Sequence, residues 1–167
     1  MQLKETQAAL RAFGKYVVQQ ARTNLTKGKK NVSKELYDSL GFTLEEVSAG
    51  FRLFFEMEDY GMFQDRGVSG TEKKYNTPYK YTNKMPPAKA FDKWAVRKGI
   101  APRGKGGKFV NRKGLNYAIA KSIYKKGIRP SMFFTKPFAA AFKRFPDEFV
   151  EAYSIGIEKQ IQVNINK

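Results

Sequence analysis

The chain contains neither cysteine nor histidine. Without thiols there is no disulfide framework and no thiolate nucleophile, a composition that fits a reducing compartment. Without imidazole there is no Ser-His-Asp triad, no Cys-His pair, no His-bearing zinc site and no histidine-based nuclease. Any enzyme built here would have to run on carboxylates, lysines or tyrosines. No stretch approaches the roughly 18 uncharged apolar residues that cross a bilayer, so no membrane span is expected. The opening MQLKETQAAL is polar and mixed in charge, unlike a secretory signal. Acids are also scarce, 15 Asp and Glu against 32 Lys and Arg. What remains is enough for one domain: 167 residues, 41% of them hydrophobic, can bury a real core.

The net charge is +17 and the isoelectric point about 10.0. So basic a balance implies an anionic partner: nucleic acid, an acidic protein surface or an anionic membrane. The excess is concentrated. From Lys84 to Arg144 there are seventeen Lys and Arg against one acid, Asp92, whereas the rest of the chain holds fifteen bases and fourteen acids. The acids gather at Glu45, Glu46, Glu56, Glu58, Asp59 and Asp65. This asymmetry predicts two surfaces with different tasks.

Apolar spacing predicts a long amphipathic helix over 2–27, carried by Leu3, Leu10, Phe13, Val17, Ala21 and Leu25 and ended by Gly28. A short bridge, 31–40, leads into two strands, LGFTLEEV and GFRLFFEMED. In the second, Phe51, Leu53, Phe55 and Met57 alternate with Arg52, Phe54 and Glu56, the period of a half-buried strand. Tyr60 and Phe63 suit one side of a short helical turn, broken by Gly67 and Gly70. Residues 71–87 read as a loop or extended arm whose three tyrosines either cover a core edge or stack on a partner. A helix is expected over 87–99 with Phe91, Trp94 and Ala95 as its apolar face. The Gly-rich basic stretch 102–114 reads as a loop and lacks the spacing of a P-loop. Another helix is expected over 115–126, with Leu115, Ile119 and Ile123 on one face and Gly127 as C-cap.

The segment GIRPSMFFTKPFAAAFKRF at 127–145 carries five phenylalanines and four positive charges with no acid. An extended crossing from Ile128 to Phe134, held open by Pro130, precedes a helix started by Thr135 and Pro137. Phe138, Ala141, Phe142, Phe145 and Phe149 then recur at three and four residues as a buried stripe, leaving Arg129, Lys136, Lys143 and Arg144 outside it. A second helical phase is expected after Pro146, to about Gln162. The fold class is therefore α+β: a long N-terminal helix on a small antiparallel sheet, with further C-terminal helices and a basic loop and helix insertion. The chain is read as one domain, 1–167, with 71–114 as an inserted arm.

This order of features resembles the neck, or tail-completion, proteins that join head and tail in tailed bacteriophages. The resemblance rests on Leu36, Ser39 and Leu40 before the strands, on YGMFQDRG at 60–67, on AIAKSIYKKGIRP at 118–130 and on RPSMFFTKPFAAAF at 129–142. It covers about 1–70 and 115–160. The family's acid-Gly-Thr is here Asp65-Arg66-Gly67, with Gly70-Thr71 following after a short insertion. The resemblance implies a structural virion protein assembled in the host cytoplasm. It would form a homo-oligomeric ring between portal and tail proteins, pass double-stranded DNA without reading its sequence, and catalyse nothing. No cofactor, metal or small-molecule substrate is expected.

Under this reading Arg103, Lys105, Lys108, Arg112, Lys113, Lys125 and Lys126 are the candidate contacts to DNA or to an acidic neighbour, and Tyr60, Phe63, Asp65, Phe134 and Phe138 pack the motifs or a subunit interface. Three other classes compete. A free, non-specific nucleic-acid-binding protein suits the charge but shows no recognisable module. A metal-dependent nuclease would need Glu56, Glu58, Asp59 or Asp65 as ligands, although acids on the polar side of a strand are ordinary. A membrane-surface protein would use the basic helix 115–126, whose apolar face is better explained by core packing.

Overall fold

A computed structural model describes residues 4–30, 32–47, 50–104, 106–145 and 147. The elements in chain order are α1 (Lys4–Lys27), α2 (Glu35–Ser39), β1 (Gly41–Val47), β2 (Gly50–Glu56), α3 (Gly61–Arg66), a 3-10 turn (Ala88–Phe91), α4 (Asp92–Arg97) and α5 (Arg112–Lys126). Residues 135–145 are also helical. The fold is α+β, with the long N-terminal helix and the two-stranded antiparallel sheet that the sequence predicts. The chain forms two compact units. The first comprises Met1–Lys27, Tyr37–Glu58 and Phe133–Lys167, and the second Gly28–Leu36 and Asp59–Met132.

In the first unit, α1 buries Phe13, Gly14, Val17, Val18, Ala21 and Leu25. These positions recur every three or four residues and form one stripe. β1 and β2 pair from Gly41 opposite Glu56 to Val47 opposite Gly50. Along β2 the side chains at Phe51, Leu53 and Phe55 are half-buried while Arg52, Phe54 and Glu56 are exposed, as the alternation requires. Phe55 and α1 then meet the helix at 135–145. The Phe13 ring lies 4.7 Å from Phe145 and 5.9 Å from Phe138, and the Phe55 ring 5.3 Å from Phe134. Most of these pairs are edge-to-face, the geometry favoured by the ring quadrupole. Gly14 allows the close approach of α1 to β1, because a Cβ there would fall 2.6 Å from the Phe42 ring.

The aromatic stripe differs from expectation in one ring. Phe134, Phe138, Ala141 and Phe145 face the core, at intervals of four, three and four. Phe142 is one residue, about 100°, round the helix from Ala141. It stacks on Phe138 at 5.8 Å but stays 55% exposed. Phe133, just before the helix, is buried more completely than any of them. Phe149 and the helical phase expected after Pro146 lie outside the described residues.

The second unit is organised by a crossing of three extended segments. Val68 and Ile128 exchange backbone hydrogen bonds at 2.9 and 2.8 Å. On its other side this segment is bonded through Ser69 to Tyr79 and Tyr81, at 2.8 and 2.9 Å. Thr71 and Glu72 donate to the carbonyls of Tyr124 and Lys125. Glycine makes the crossing possible. Gly127, at φ 72°, caps α5, and a Cβ there would collide with the Val68 carbonyl oxygen.

Two helices of this unit depart from the expected bounds. The expected helix 87–99 is a 3-10 turn followed by the six residues of α4, after an extended Pro87 at ψ 127°. Ala95 is buried there, but Trp94 is 39% exposed. α5 starts at Arg112 rather than Leu115, because the Asn111 side chain caps it by accepting from the Lys113 N–H at 2.9 Å. Its buried residues are Asn116 and Ala120, with Leu115, Ile119 and Ile123 only half-buried at the flanks.

Candidate polyanion-binding surface

The charge divides with the units. The second unit holds 21 of the 32 Lys and Arg against 5 acids, a net +16, whereas the first holds 11 bases and 10 acids. All seven basic residues singled out above belong to the second unit. Three of them are engaged internally. The Arg112 guanidinium is 3.0 Å from the Asp92 carboxylate, whose other oxygen accepts from the Asn116 amide at 3.1 Å. The sole acid of the basic block thus ties α4 to α5. Lys125 pairs with Glu72 at 2.5 Å across the crossing. Arg103 donates to the Gly107 carbonyl at 3.3 Å and lies 4.6 Å from the Phe109 ring centroid, which closes the 103–109 loop into a small hairpin. Lys108, Lys113 and Lys126 are exposed. Lys105 lies outside the described residues.

The packing candidates separate by burial. Asp65 is 1% exposed, and its backbone carbonyl accepts from the N–H groups of Ser131 and Met132 at 3.1 and 2.9 Å. The segments 60–67 and 127–132, both part of the resemblance, therefore meet backbone to backbone. Tyr60 and Phe63 are largely exposed, and Phe63 sets its edge against the Tyr79 ring at 4.7 Å. Phe134 and Phe138 belong to the core of the first unit. The tyrosines of the arm are engaged locally: Tyr75 lies under the Lys73 ammonium, Tyr79 against Phe63, and Tyr81 near Tyr124. Burial pushes the Tyr81 phenol above its ordinary value.

The acids do not gather. Glu56 accepts from the Thr43 hydroxyl at 2.8 Å, Glu58 and Asp59 are exposed, and Asp65 is buried. Among the described residues no three of His, Cys, Asp and Glu cluster closely enough to hold a metal ion. No helix among them is long and apolar enough to cross a membrane.

Sequence reasoning missed two features. Arg22 of α1 donates to the carbonyls of Tyr37 and Leu40, at 3.1 and 2.8 Å, and lies over the Tyr37 ring. In the second unit, the Lys98 ammonium donates to the Lys29 carbonyl at 3.0 Å. Beside it the Lys30 ammonium is held below its ordinary pKa, first by burial and then by the charges of Lys98 and Arg129. Lys98 and Arg129 fall inside the basic block, but nothing in the spacing joins them to Lys30. The same unit has an open groove of about 380 Å³ lined by Ala95, Val96, Ile100, Phe109, Val110 and Leu115, with Phe109 66% exposed. Comparison with protein-family models, curated proteins and solved structures finds no match.

Proposed function

We propose that this chain is a structural component of a tailed-phage virion, a subunit of a ring in the neck through which DNA passes. The observation that carries this reading is the division of charge, a net +16 on one unit and near neutrality on the other. A unit so basic suits sequence-independent contact with phosphates. A near-neutral unit, with Glu45 and Glu56 exposed beside Arg52 on one strand face, suits contact with other protein chains, portal and tail proteins and copies of itself. Ring closure needs one surface to meet a different one on the next copy, which unlike faces supply. The meeting of 60–67 with 127–132 supports the resemblance, since both carry its motifs. In this reading the chain works by assembly and not by catalysis, in the host cytoplasm and then in the particle.

Quantitative mass spectrometry of purified particles tests it. The expected result is a low, fixed, ring-like ratio to the major capsid protein. Absence from particles, with abundance in infected cells, overturns the structural reading. That outcome would favour the second reading, a non-specific nucleic-acid-binding protein acting during infection, which the same +16 supports.

A further inference from the structure

We propose that the apolar groove of the second unit takes residues 148–158 of a second copy of this chain. The inference deepens the ring reading above and rests on its choice of other copies as partners. The groove, about 380 Å³, lies between α4, the start of α5 and the loop that joins them. Its walls are fixed within the unit. Asp92 holds the two helices together through Arg112 and Asn116, at 3.0 and 3.1 Å. In the loop, the Ile100 N–H donates to the Ala95 carbonyl and the Val110 N–H to the Pro102 carbonyl, both at 3.0 Å. The Arg103 guanidinium steadies Phe109, 4.6 Å from its ring centroid. Walls already formed lower the ordering cost of binding. Phe109 is nevertheless 66% exposed and Val96 59%, with Ile100 and Val110 also open to solvent. Adjoining apolar side chains left open in this way mark an interaction site.

Two features narrow the occupant. Asn116 lines the groove, is 7% exposed, and spends its amide N–H on Asp92. Its Oδ1 is buried and takes no bond from the described residues. A buried acceptor without a donor is costly, which favours an occupant rich in N–H groups, a peptide rather than a hydrocarbon. The surroundings are basic. Arg97, Lys108 and Lys113 are exposed and adjoin the lining residues Val96, Phe109 and Arg112 in sequence. The complement is a peptide with apolar side chains and acids. Residues 148–158, EFVEAYSIGIE, have that composition: three acids, no base, and Phe149, Val150, Tyr153, Ile155 and Ile157. They lie outside the described residues. Two other acid-bearing stretches free of bases, 35–51 and 53–65, are committed to α2, the hairpin and α3, where Leu36, Leu40 and Asp65 are buried. A groove on one copy filled by a segment of another is a head-to-tail contact, the kind that closes a ring.

The test uses the full chain and reads self-association by sedimentation velocity. Phe109→Asp, at an exposed side chain, is expected to weaken association about 30-fold, the effect of losing an aromatic anchor. Glu148→Lys/Glu151→Lys/Glu158→Lys should weaken it too, and so should Arg97→Glu/Lys108→Glu/Lys113→Glu. Mixing these two charge-reversed variants should restore association, because each then offers the complement of the other. Circular dichroism checks folding. If Phe109→Asp does not fold, the charge-reversed pair carries the test, together with photo-crosslinking from benzoylphenylalanine placed at 109. In a mixture of light and heavy isotope-labelled protein, crosslinks to 148–158 should join one light and one heavy chain. Crosslinks confined to single chains would mean that a chain fills its own groove, and they overturn the proposal. So do crosslinks to the hairpin at 41–56, absence of self-association in the wild type, or wild-type association in the folded variants. Failure here is separable from failure of the neck reading. Particles could contain the chain in a ring-like ratio while its crosslinks fall elsewhere, or lack it while the groove still takes the segment of a second copy.

Discussion

Gly14 lies in the middle of α1, where alanine would be the better helix former by about 1 kcal/mol. The Phe42 ring reverses that preference, since a Cβ would approach it to 2.6 Å. Gly14→Ala should therefore destabilise the protein, by about 1–3 kcal/mol, the usual cost of overpacking, read from urea unfolding. Arg22→Ala removes donors from two backbone carbonyls and should cost about 2 kcal/mol in the same measurement. Lys30 has the opposite sign. Its folded pKa lies below the ordinary lysine value of 10.5, so the unfolded chain holds the proton more tightly. The charged ammonium thus destabilises the native state at neutral pH, and the penalty fades as pH rises through the folded pKa towards 10.5. Lys30→Gln should raise the thermal midpoint at pH 7, and the gain should shrink as the pH approaches 10.5.

At the scale of elements, the helix at 135–145 offers a test of its own phase. Phe138 faces Phe13 and Phe55, whereas Phe142 stands mostly in solvent. Phe138→Ala should cost about 3 kcal/mol, and Phe142→Ala much less, in paired denaturation curves. A sequence alone groups both rings, because spacing by three and four tolerates either as part of the stripe. α1 and the β-hairpin were legible, since each keeps one period for long enough to be read. α5 was legible only in part. Asn111 ends a basic loop and also caps the helix, and α5 meets the 3-10 turn and α4, where Asn116 bonds to Asp92, so Asn116 and Ala120 are buried where larger residues were expected. The Asp92 pairing with Arg112 and Asn116, the Arg22 bonds and the Lys98 bond to the Lys29 carbonyl join residues about 15 to 70 positions apart. No local pattern signals such pairings.

At the scale of the whole molecule, the α+β class follows from a helical period, a strand period and their order along the chain. The division of charge was also visible in the sequence, although the basic block read as Lys84–Arg144 differs from the unit that carries the charge. Lys136, Lys143 and Arg144 belong to the first unit, and Lys29, Lys30 and Lys34 to the second. What the sequence could not supply was which cations are already neutralised. Arg112 and Lys125 are paired with Asp92 and Glu72, whereas Lys108, Lys113 and Lys126 stand exposed. The most direct measurement is electron cryomicroscopy of the portal–tail joint in intact particles. The account predicts a ring of this chain there, with its basic second unit directed at the DNA path. A joint built without it would contradict the account, as would a ring whose basic unit faces away from the channel.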